Sequence, residues 1–178
     1  MSAPRLLVVA GTNPVSVANS IITWAPHIER VGLLCSTDKG VSDTEQRIKD
    51  WLETGELKNQ KKQTNIFMTA PLNGEGKRIQ CERIEIPRLA ELPEKNIMIN
   101  DLNQHDVIDC RCGTKLHGVR LVNAAMAEPE FLRPKICTTN AHEGTVRCLE
   151  PLKAVYSPAP RSLDIGSILF LHHGKIPE

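Results

Sequence analysis

Short apolar runs alternate along the chain with stretches in which apolar residues recur at helical spacing. Residues 6–10 form the first apolar run, which predicts a buried strand over residues 5–10, and a Gly-Thr-Asn-Pro turn follows it. The next helix is predicted to start at Pro14, because proline suits a first helical turn and Asn13 is a good N-cap. Residues 30–35 then predict a second strand.

A second helix follows, and the order of the elements indicates the fold class. Ser42 and Glu45 have the spacing of a capping box, so this helix is predicted to be capped by Ser42 and to run to Gly55. A β-α-β-α order implies a parallel sheet with right-handed crossovers. The sequence therefore predicts an α/β fold with a Rossmann-like, mostly parallel sheet and helices on both faces.

The middle of the chain carries weaker patterns. Polar and basic residues 58–64 predict a solvated turn. Residues 72–76 predict the tip of a hairpin between strands at residues 66–68 and 79–81. A short helix is predicted between residues 87 and 102.

The strand-turn-helix pattern returns in the second half. Residues 106–110 predict a strand, and a Gly-Thr-Lys turn at residues 113–115 leads into a helix over residues 116–126. Residues 135–139 predict a further strand. The repeated pattern extends the predicted parallel sheet.

The C-terminal part is predicted to close the fold with a hairpin and a helix. Residues 145–149 and 153–156 predict a hairpin or the far edge of the sheet. Ser162 is predicted to cap an apolar helix over residues 163–172. That helix either docks on its own domain or begins a connection to another one.

The charges of the chain nearly cancel, with 22 basic and 21 acidic residues and a formal net charge of +1. A bulk nucleic-acid binder would show a basic excess, so duplex nucleic acid is not expected as a partner. No stretch approaches the roughly 20 apolar residues that span a bilayer, and the N-terminus lacks the organisation of a signal peptide. We expect a soluble, cytoplasmic protein without membrane contact.

The six cysteines mostly fall in apolar, strand-like runs, where reduced thiols behave as small hydrophobic groups. The Cys110-x-Cys112 pair has no partner motif at the spacing of a zinc site. Neither a metal nor another cofactor is expected.

Two turns, one in each half of the chain, carry the candidate chemistry. Each follows a strand and opens a helix, so both are expected at the carboxyl edge of the sheet, where open α/β sheets bind ligands. Hydroxyl-bearing turns at helix N-termini suit a phosphate-containing ligand, and a lysine adds a mobile positive charge. The residues assigned to the ligand site are Gly11, Thr12, Asn13, Pro14, Ser36, Thr37, Arg111, Cys112, Gly113, Thr114 and Lys115. Neither turn matches the dinucleotide fingerprint or the Walker loop.

Together these motifs resemble the CARF family, the CRISPR-associated Rossmann-fold domains. In that family a first strand leads into a Gly-Thr/Ser-x-Pro type turn, as at residues 7–14 here. A later strand ends in a Thr-Gly-Gly-Thr-Lys type motif, as at residues 108–115. Residues 32–37 resemble the family's second strand, which ends in a Cys-Ser or similar pair. The resemblance covers residues 5–127, and residues 162–174 look like the segment that follows the sensor domain in some effectors.

The chain departs from the family at Cys110-Arg111-Cys112, which stands where the family has Thr-Gly-Gly. A cation and two thiols thus replace small, flexible residues. This difference bears on the ring size of the ligand and on how closely the backbone approaches it.

The resemblance implies a homodimer that binds one cyclic oligoadenylate across its two-fold axis. Cyclic tetra-adenylate is the commonest ligand in the family and cyclic hexa-adenylate the next. Such a domain is the sensor of an ancillary effector in type III CRISPR antiviral defence, and the dimer can belong to a higher oligomer. Residues 1–160 would form this domain. Residues 161–178 would be a docking helix or the start of a linker to an effector domain.

Two alternatives remain at this point. Some members of the family are metal-independent ring nucleases, in which a ribose 2′-hydroxyl attacks the adjacent phosphate and leaves a 2′,3′-cyclic phosphate. Ser36, Thr114 and Lys115 would then stabilise the developing charge, with His142 or His117 transferring a proton. The sensor is favoured because no separate catalytic constellation is recognisable.

A further interpretation discards the family. The chain would then be a generic nucleotide-binding enzyme that uses Asp109 and the glycine turns to hold a small nucleotide. The missing dinucleotide fingerprint makes this the weakest of the three interpretations.

Overall fold

The computed structural model describes residues 4–59, 66–140, 145–150 and 161–175. The strands are β1 Arg5–Val9, β2 Arg30–Cys35, β3 Glu56–Asn59, β4 Ile66–Thr69, β5 Gln80–Glu85, β6 Val107–Asp109, β7 Lys135–Asn140 and β8 Thr145–Glu150. The α-helices are α1 Pro14–Trp24, α2 Val41–Thr54, α3 Lys115–Met126 and α4 Ile165–His173.

Strand β1 lies inside a six-stranded sheet of order β5-β2-β1-β6-β7-β8. All neighbours in this sheet are parallel except β7 and β8, which are antiparallel. Leu6 of β1 is in register with Val31 on one side and Val107 on the other. A parallel strand buried on both faces reads as a continuous apolar run, which is why β1 is recognisable in the sequence.

Alternate residues of β1 feed two hydrophobic cores, because successive side chains of a strand point to opposite faces. Leu6 and Val8 pack with residues of α1, α2 and α4, whereas Leu7 and Val9 pack with residues of α3. Helices therefore cover both faces of the sheet. The predicted α/β, Rossmann-like fold with a mostly parallel sheet is confirmed.

Helix α4 docks on the face that α1 and α2 cover. The indole Nε1 of Trp51 donates to Ser167 Oγ at 3.1 Å, and both side chains are buried. The backbone N–H of Thr69 donates to the Asp164 carboxylate at 3.1 Å. Asp164 also accepts from the N–H of Ser167 and is the N-cap, so the prediction of Ser162 as the cap is wrong.

The predicted capping box at the start of α2 is also wrong. The helix begins at Val41, and its N-cap is Gly40 with a φ of 84°. Ser42 therefore lies within the first turn of the helix. The Glu45 carboxylate accepts from Lys49 and Arg83 instead of from the helix N-terminus.

The middle of the chain folds differently from the predicted hairpin. Strand β4 pairs antiparallel with β3 in a separate two-stranded sheet, whereas β5 joins the main sheet parallel to β2. The turn at residues 73–76 is closed by a single bridge between Leu72 and Arg78. The predicted helix after Pro87 is reduced to a 3₁₀ turn, Leu89–Glu91.

Parts of the predicted polar turn and the C-terminal hairpin lie outside the described residues. Lys58 and Asn59 belong to β3, and residues 60–65 are not described. β8 forms the far edge of the sheet, while residues 153–156 are not described.

Candidate ligand site at the carboxyl edge of the sheet

The turns that follow β1 and β6 meet at the carboxyl edge of the sheet. A Cβ atom added to Gly11 would lie 3.0 Å from the Cα of Gly113. Gly113 has a φ of 76°, and a Cβ atom there would lie 2.4 Å from Cγ1 of Val9. Both positions therefore favour glycine, because a side chain at Gly11 would push the two turns apart and one at Gly113 would overlap Val9.

The two turns also place two helix N-termini next to each other. Asn13 caps α1 by accepting from the N–H of Val15 at 3.0 Å. Thr114 caps α3 by accepting from the N–H of His117 at 3.3 Å. Neither helix carries an acidic residue in its first turn. Free backbone amides and two positive helix-dipole ends make this edge favourable for an anion.

Two cavities flank the α1 N-terminus at this edge, one on either side. We call the first the β2-side cavity; its volume is about 230 Å³. Its lining residues are Ala10, Gly11, Thr12, Asn13, Ser16, Ser36, Asp38, Lys39, Val41, Leu89, Gly113, Thr114 and His117. The structure thus brings six of the predicted site residues together here: Gly11, Thr12, Asn13, Ser36, Gly113 and Thr114.

Ser36 is hydrogen-bonded to Asp38, a residue that was not among the predicted site residues. The buried Ser36 hydroxyl donates to Asp38 Oδ2 at 2.8 Å. The same carboxylate oxygen accepts from the backbone N–H of Leu89 at 3.0 Å. Asp38 therefore ties the loop after β2 to the segment after β5, and the Ser36 proton is already engaged. Lys39, also in the cavity lining, supplies the nearby positive charge.

Thr114 is engaged by His117 in a similar way. His117 is buried, and its Nε2 lies 2.9 Å from the carbonyl oxygen of Pro87. Since a carbonyl can only accept, Nε2 carries a proton. In the neutral imidazole Nδ1 then accepts from the Thr114 hydroxyl, at 2.9 Å. His117 thus fixes the rotamer of the Thr114 side chain and joins α3 to the segment after β5. A side chain at the third position of a helix is expected at the surface, but His117 is buried.

The second cavity lies between α1 and the end of β7, and we call it the β7-side cavity. Its volume is about 310 Å³. Its lining residues are Asn13, Val15, Ser16, Asn19, Arg111, Cys112 and Thr139. Asn13 and Ser16 therefore face both cavities. Of the predicted site residues, Arg111 and Cys112 lie here rather than beside Ser36.

Asp109 supports the floor between α1, β6 and β7. It is fully buried and accepts three hydrogen bonds. The donors are the Ser20 hydroxyl at 2.6 Å and the backbone N–H groups of Arg111 at 3.1 Å and Thr139 at 3.3 Å. Because its oxygens are occupied by the protein, Asp109 is a structural anchor. The interpretation as a generic nucleotide-binding enzyme requires Asp109 to contact the nucleotide, and the protein's own donors already occupy this carboxylate.

Cys112 is a packing residue with an unreactive thiol. Its side chain is buried, and Sγ lies 3.5 Å from the carbonyl oxygen of Ser16. Burial raises the pKa of this thiol well above its ordinary value. The neutral form is therefore maintained, and Cys112 shapes the cavity wall rather than acting as a nucleophile.

Four predicted residues lie away from the two cavities or beyond the described residues. Pro14 is buried as the first residue of α1, and Lys115 is exposed as the first residue of α3. Thr37 lines a separate groove with Arg88 and Lys95. His142 lies outside the described residues.

An exposed apolar stripe begins beside the site on α3. Leu116, Val119 and Met126 lie on this helix and are 44%, 56% and 37% exposed. The spacing of the three residues places them along one side of the helix. The sequence places these residues in the predicted helix but does not show that they are exposed.

Metal and membrane features are not found in the part of the chain that the structure describes. Its histidines, cysteines and carboxylates form no group of three or more that could hold a metal ion. None of the described helices combines the length and apolar character required to cross a membrane.

Comparisons with known proteins identify the fold. No protein-family model matches the chain, and no curated protein matches it in sequence. Solved structures do match. One is Can2 from Sulfobacillus thermosulfidooxidans in complex with cyclic tetra-adenylate, with a TM-score of 0.59, 12% identity and coverage of 95% of this chain. Another is protein VC1899 from Vibrio cholerae, with a TM-score of 0.62, 9% identity and 94% coverage.

A third match is a type III CRISPR defence DNA nuclease activated by cyclic oligoadenylate, with a TM-score of 0.51, 12% identity and 95% coverage. This chain spans only 40%, 39% and 24% of the lengths of the three proteins, respectively. At these identities the comparisons define the fold: the chain has the architecture of part of two proteins described with cyclic oligoadenylates.

Proposed function

We propose that this chain binds a cyclic oligoadenylate at the carboxyl edge of its sheet and acts as the sensor domain of a type III CRISPR ancillary effector in antiviral defence. The observation that carries the proposal is the pair of helix N-termini that meet at Gly11 and Gly113. They lie in a fold shared with a structure that contains cyclic tetra-adenylate. The oligoadenylate is proposed as the ligand, without a metal or another cofactor.

The number of helix N-termini favours a homodimer and a ring of four adenylates. Three described helices begin at this edge, but α2 carries Asp43 in its first turn, so one chain offers two N-termini without an acidic residue, those of α1 and α3, and a two-fold dimer offers four. Cyclic tetra-adenylate carries four phosphates, and each could meet one N-terminus. The exposed stripe of Leu116, Val119 and Met126 begins next to Thr114 and is proposed as part of the dimer contact. Cyclic hexa-adenylate is the next candidate.

Sensing is favoured over ring cleavage because two hydroxyl groups of the site, those of Ser36 and Thr114, are already hydrogen-bonded within the protein. Ser36 donates to Asp38, and Thr114 donates to His117. Neither hydroxyl has a spare proton to stabilise charge on a phosphate during cleavage. Lys115 remains available as a cation. The alternative is therefore a ring nuclease that depends on Lys115, with or without His142, and the experiment below distinguishes it from a sensor.

The proposed role also concerns the rest of a longer protein. The chain is similar to 24–40% of the length of the three solved proteins, which supports a sensor that works with a further domain. We assign residues 1–160 to the ligand-binding domain. We further propose that residues 161–178 are a segment that docks through α4 and leads into a linker, and that the whole protein is cytoplasmic.

The experiment incubates the chain with cyclic tetra-adenylate for an hour, separates the protein from free ring by gel filtration, and analyses the extracted nucleotide by chromatography. Intact ring that elutes with a dimer is the result expected for a sensor. Linear products with a 2′,3′-cyclic phosphate would identify a ring nuclease. The absence of any nucleotide in the protein fraction, with the ring intact, would contradict the proposed function.

A further inference from the structure

His117 and Thr114 form a hydrogen-bonded pair whose direction depends on the charge of the imidazole ring. Nε2 of His117 donates to the carbonyl oxygen of Pro87 at 2.9 Å, in the neutral ring and in the charged ring alike. Nδ1 lies 2.9 Å from Oγ1 of Thr114. A neutral ring accepts the hydroxyl proton at Nδ1, whereas a charged ring carries a proton there and donates it to the hydroxyl oxygen. Protonation therefore reverses the bond to Thr114 and leaves the bond to Pro87 in place.

The reversal would release the hydroxyl proton of a residue at the ligand site. Thr114 is half-buried, caps α3 and lines the β2-side cavity. Its oxygen can accept from Nδ1 and from the backbone N–H of His117 together, because a hydroxyl oxygen has two lone pairs. The hydroxyl proton is then available for a third partner. A phosphate at the N-terminus of α3 is an acceptor of suitable charge.

A proton on His117 and a phosphate at this helix end favour each other. His117 is the third residue of α3 and is 3% exposed. A buried positive charge requires a negative partner, and the positive end of the helix dipole adds to that requirement. A phosphate at the same N-terminus supplies the negative charge. By linkage, a ligand that favours the charged ring is itself bound more tightly when the ring is charged.

Six charged residues surround His117 from its own helix and from the segments packed against it. They are Asp38 and Lys39 after β2, Arg88 and Glu91 after β5, and Lys115 and Arg120 on α3. Asp38 and Lys39 line the β2-side cavity together with His117 and carry opposite charges. Arg88 pairs with Glu91 at 3.9 Å, and both line the separate groove that contains Thr37. None of the six is a histidine, the side chain whose charge ordinarily changes between about pH 5 and 8.

We propose that His117 is a proton-linked switch for ligand binding: it takes up a proton when a phosphate occupies the N-terminus of α3, and Thr114 then donates its own proton to that phosphate. This inference rests on the proposed function and deepens it, because it adds regulation by pH to the same site. His117 is a positioning residue, since it acts on the ligand through Thr114. Ser36 stays bonded to Asp38 in either state, so the preference for sensing over cleavage is kept.

The test titrates the full chain with cyclic tetra-adenylate at about pH 6 and about pH 8, at constant ionic strength. We expect binding to be at least ~5-fold tighter at the lower pH, the lower end of typical couplings between two binding events. Calorimetry at about pH 7 in two buffers of different ionisation enthalpy should show proton uptake, at most one proton per chain. His117→Gln retains an N–H donor for the Pro87 carbonyl but cannot take up a proton. Its affinity should be equal at the two pH values, without proton uptake.

Two substitutions of Thr114 and one distant histidine provide the controls. Thr114→Ser keeps the hydroxyl and should keep the dependence on pH, whereas Thr114→Val should lose it. His105→Gln changes an exposed histidine just before β6, at the amino edge of the sheet, and should behave as the unmodified chain. Nitrogen chemical shifts of the imidazole give a measurement that needs no variant. They should show His117 protonated only at Nε2 in the free protein and at both nitrogens with the ring bound.

The outcomes separate this inference from the proposed function. Equal affinity of the unmodified chain at the two pH values overturns the inference while the proposed function stands. The same holds if His117→Gln keeps the dependence on pH, or if the imidazole stays neutral with the ring bound at about pH 6. If the unmodified chain binds no ring at either pH, the proposed function itself fails.

Discussion

Gly11 and Gly113 pack directly against each other at the ends of β1 and β6, so a Cβ on the first would lie 3.0 Å from the Cα of the second. This contact brings the N-termini of α1 and α3 together. Strands β1 and β6 are neighbours in the sheet, although strands β2 to β5 lie between them in sequence. The glycine pair is thus a long-range feature on which the geometry of the whole site depends.

Gly113→Ala should destabilise the fold and weaken ligand binding. The added methyl group would clash with Val9 at 2.4 Å, and the residue would retain a φ of 76°. We expect a loss of about 2–5 kcal/mol in the free energy of unfolding, from left-handed backbone strain together with overpacking. Urea unfolding measures this loss.

Gly76→Ala is the control for this substitution. Gly76 has a φ of 75°, but nothing lies within 4 Å of an added Cβ. Gly76→Ala should therefore lower the free energy of unfolding only through backbone strain, by about 1–2 kcal/mol. Equal losses in the two variants would show that the contact between the two turns is not tight.

The helix caps give a second prediction. Asp164 caps α4, so Asp164→Ala should cost about 1 kcal/mol of unfolding free energy. Ser42 lies inside α2 and is exposed, so Ser42→Ala should be neutral or slightly stabilising. Thermal or urea unfolding of both variants measures the difference. A loss of about 1 kcal/mol in Ser42→Ala would mean that the capping box forms after all.

Lys115 gives a prediction on binding. It is the exposed first residue of α3, next to the Thr114 cap, and can reach a phosphate held at that N-terminus. Lys115→Ala should weaken binding of cyclic tetra-adenylate by roughly 10- to 100-fold, the range for a charge-assisted hydrogen bond. Titration at two salt concentrations should also show a weaker salt dependence in the variant.

Lys77→Ala is the matched control, because this exposed lysine pairs with Glu75 in the turn before β5, at the opposite edge of the sheet. Its affinity should equal that of the unmodified chain. Unchanged affinity in Lys115→Ala would remove this side chain from the ligand site.

The apolar stripe on α3 gives a prediction on assembly. Val119 is 56% exposed, so Val119→Glu should leave the monomer fold intact but place a charge in the proposed dimer contact. Sedimentation velocity should then show a monomer. Ile165→Glu, at a position that is 71% exposed on α4, is the control and should stay dimeric. A dimer in Val119→Glu would locate the contact elsewhere.

The parallel core was predictable because its signals are local. Residues 6–9 and 31–35 contain no charged residue because these strands are buried on both faces, and Asn13 with Pro14 marks the start of α1. The capping box at Ser42 was misread because Gly40 closes the preceding turn in a left-handed conformation. The pairing of β4 with β3 was missed because strand partners are chosen by long-range packing.

The candidate site was predictable only where residues lie in the turns themselves. Gly11, Gly113 and Thr114 follow directly from the strand-turn-helix pattern. Asp38 and His117 tie their loops to partners far away in sequence, at Leu89 and Pro87, so no local signal predicts these anchoring roles.

Calorimetric titration of the chain with cyclic tri-, tetra- and hexa-adenylate tests the central claim most directly. We predict tight binding of one ring per two chains, with cyclic tetra-adenylate bound most tightly. No binding of any of the three rings would contradict the account and leave the carboxyl edge without its proposed ligand.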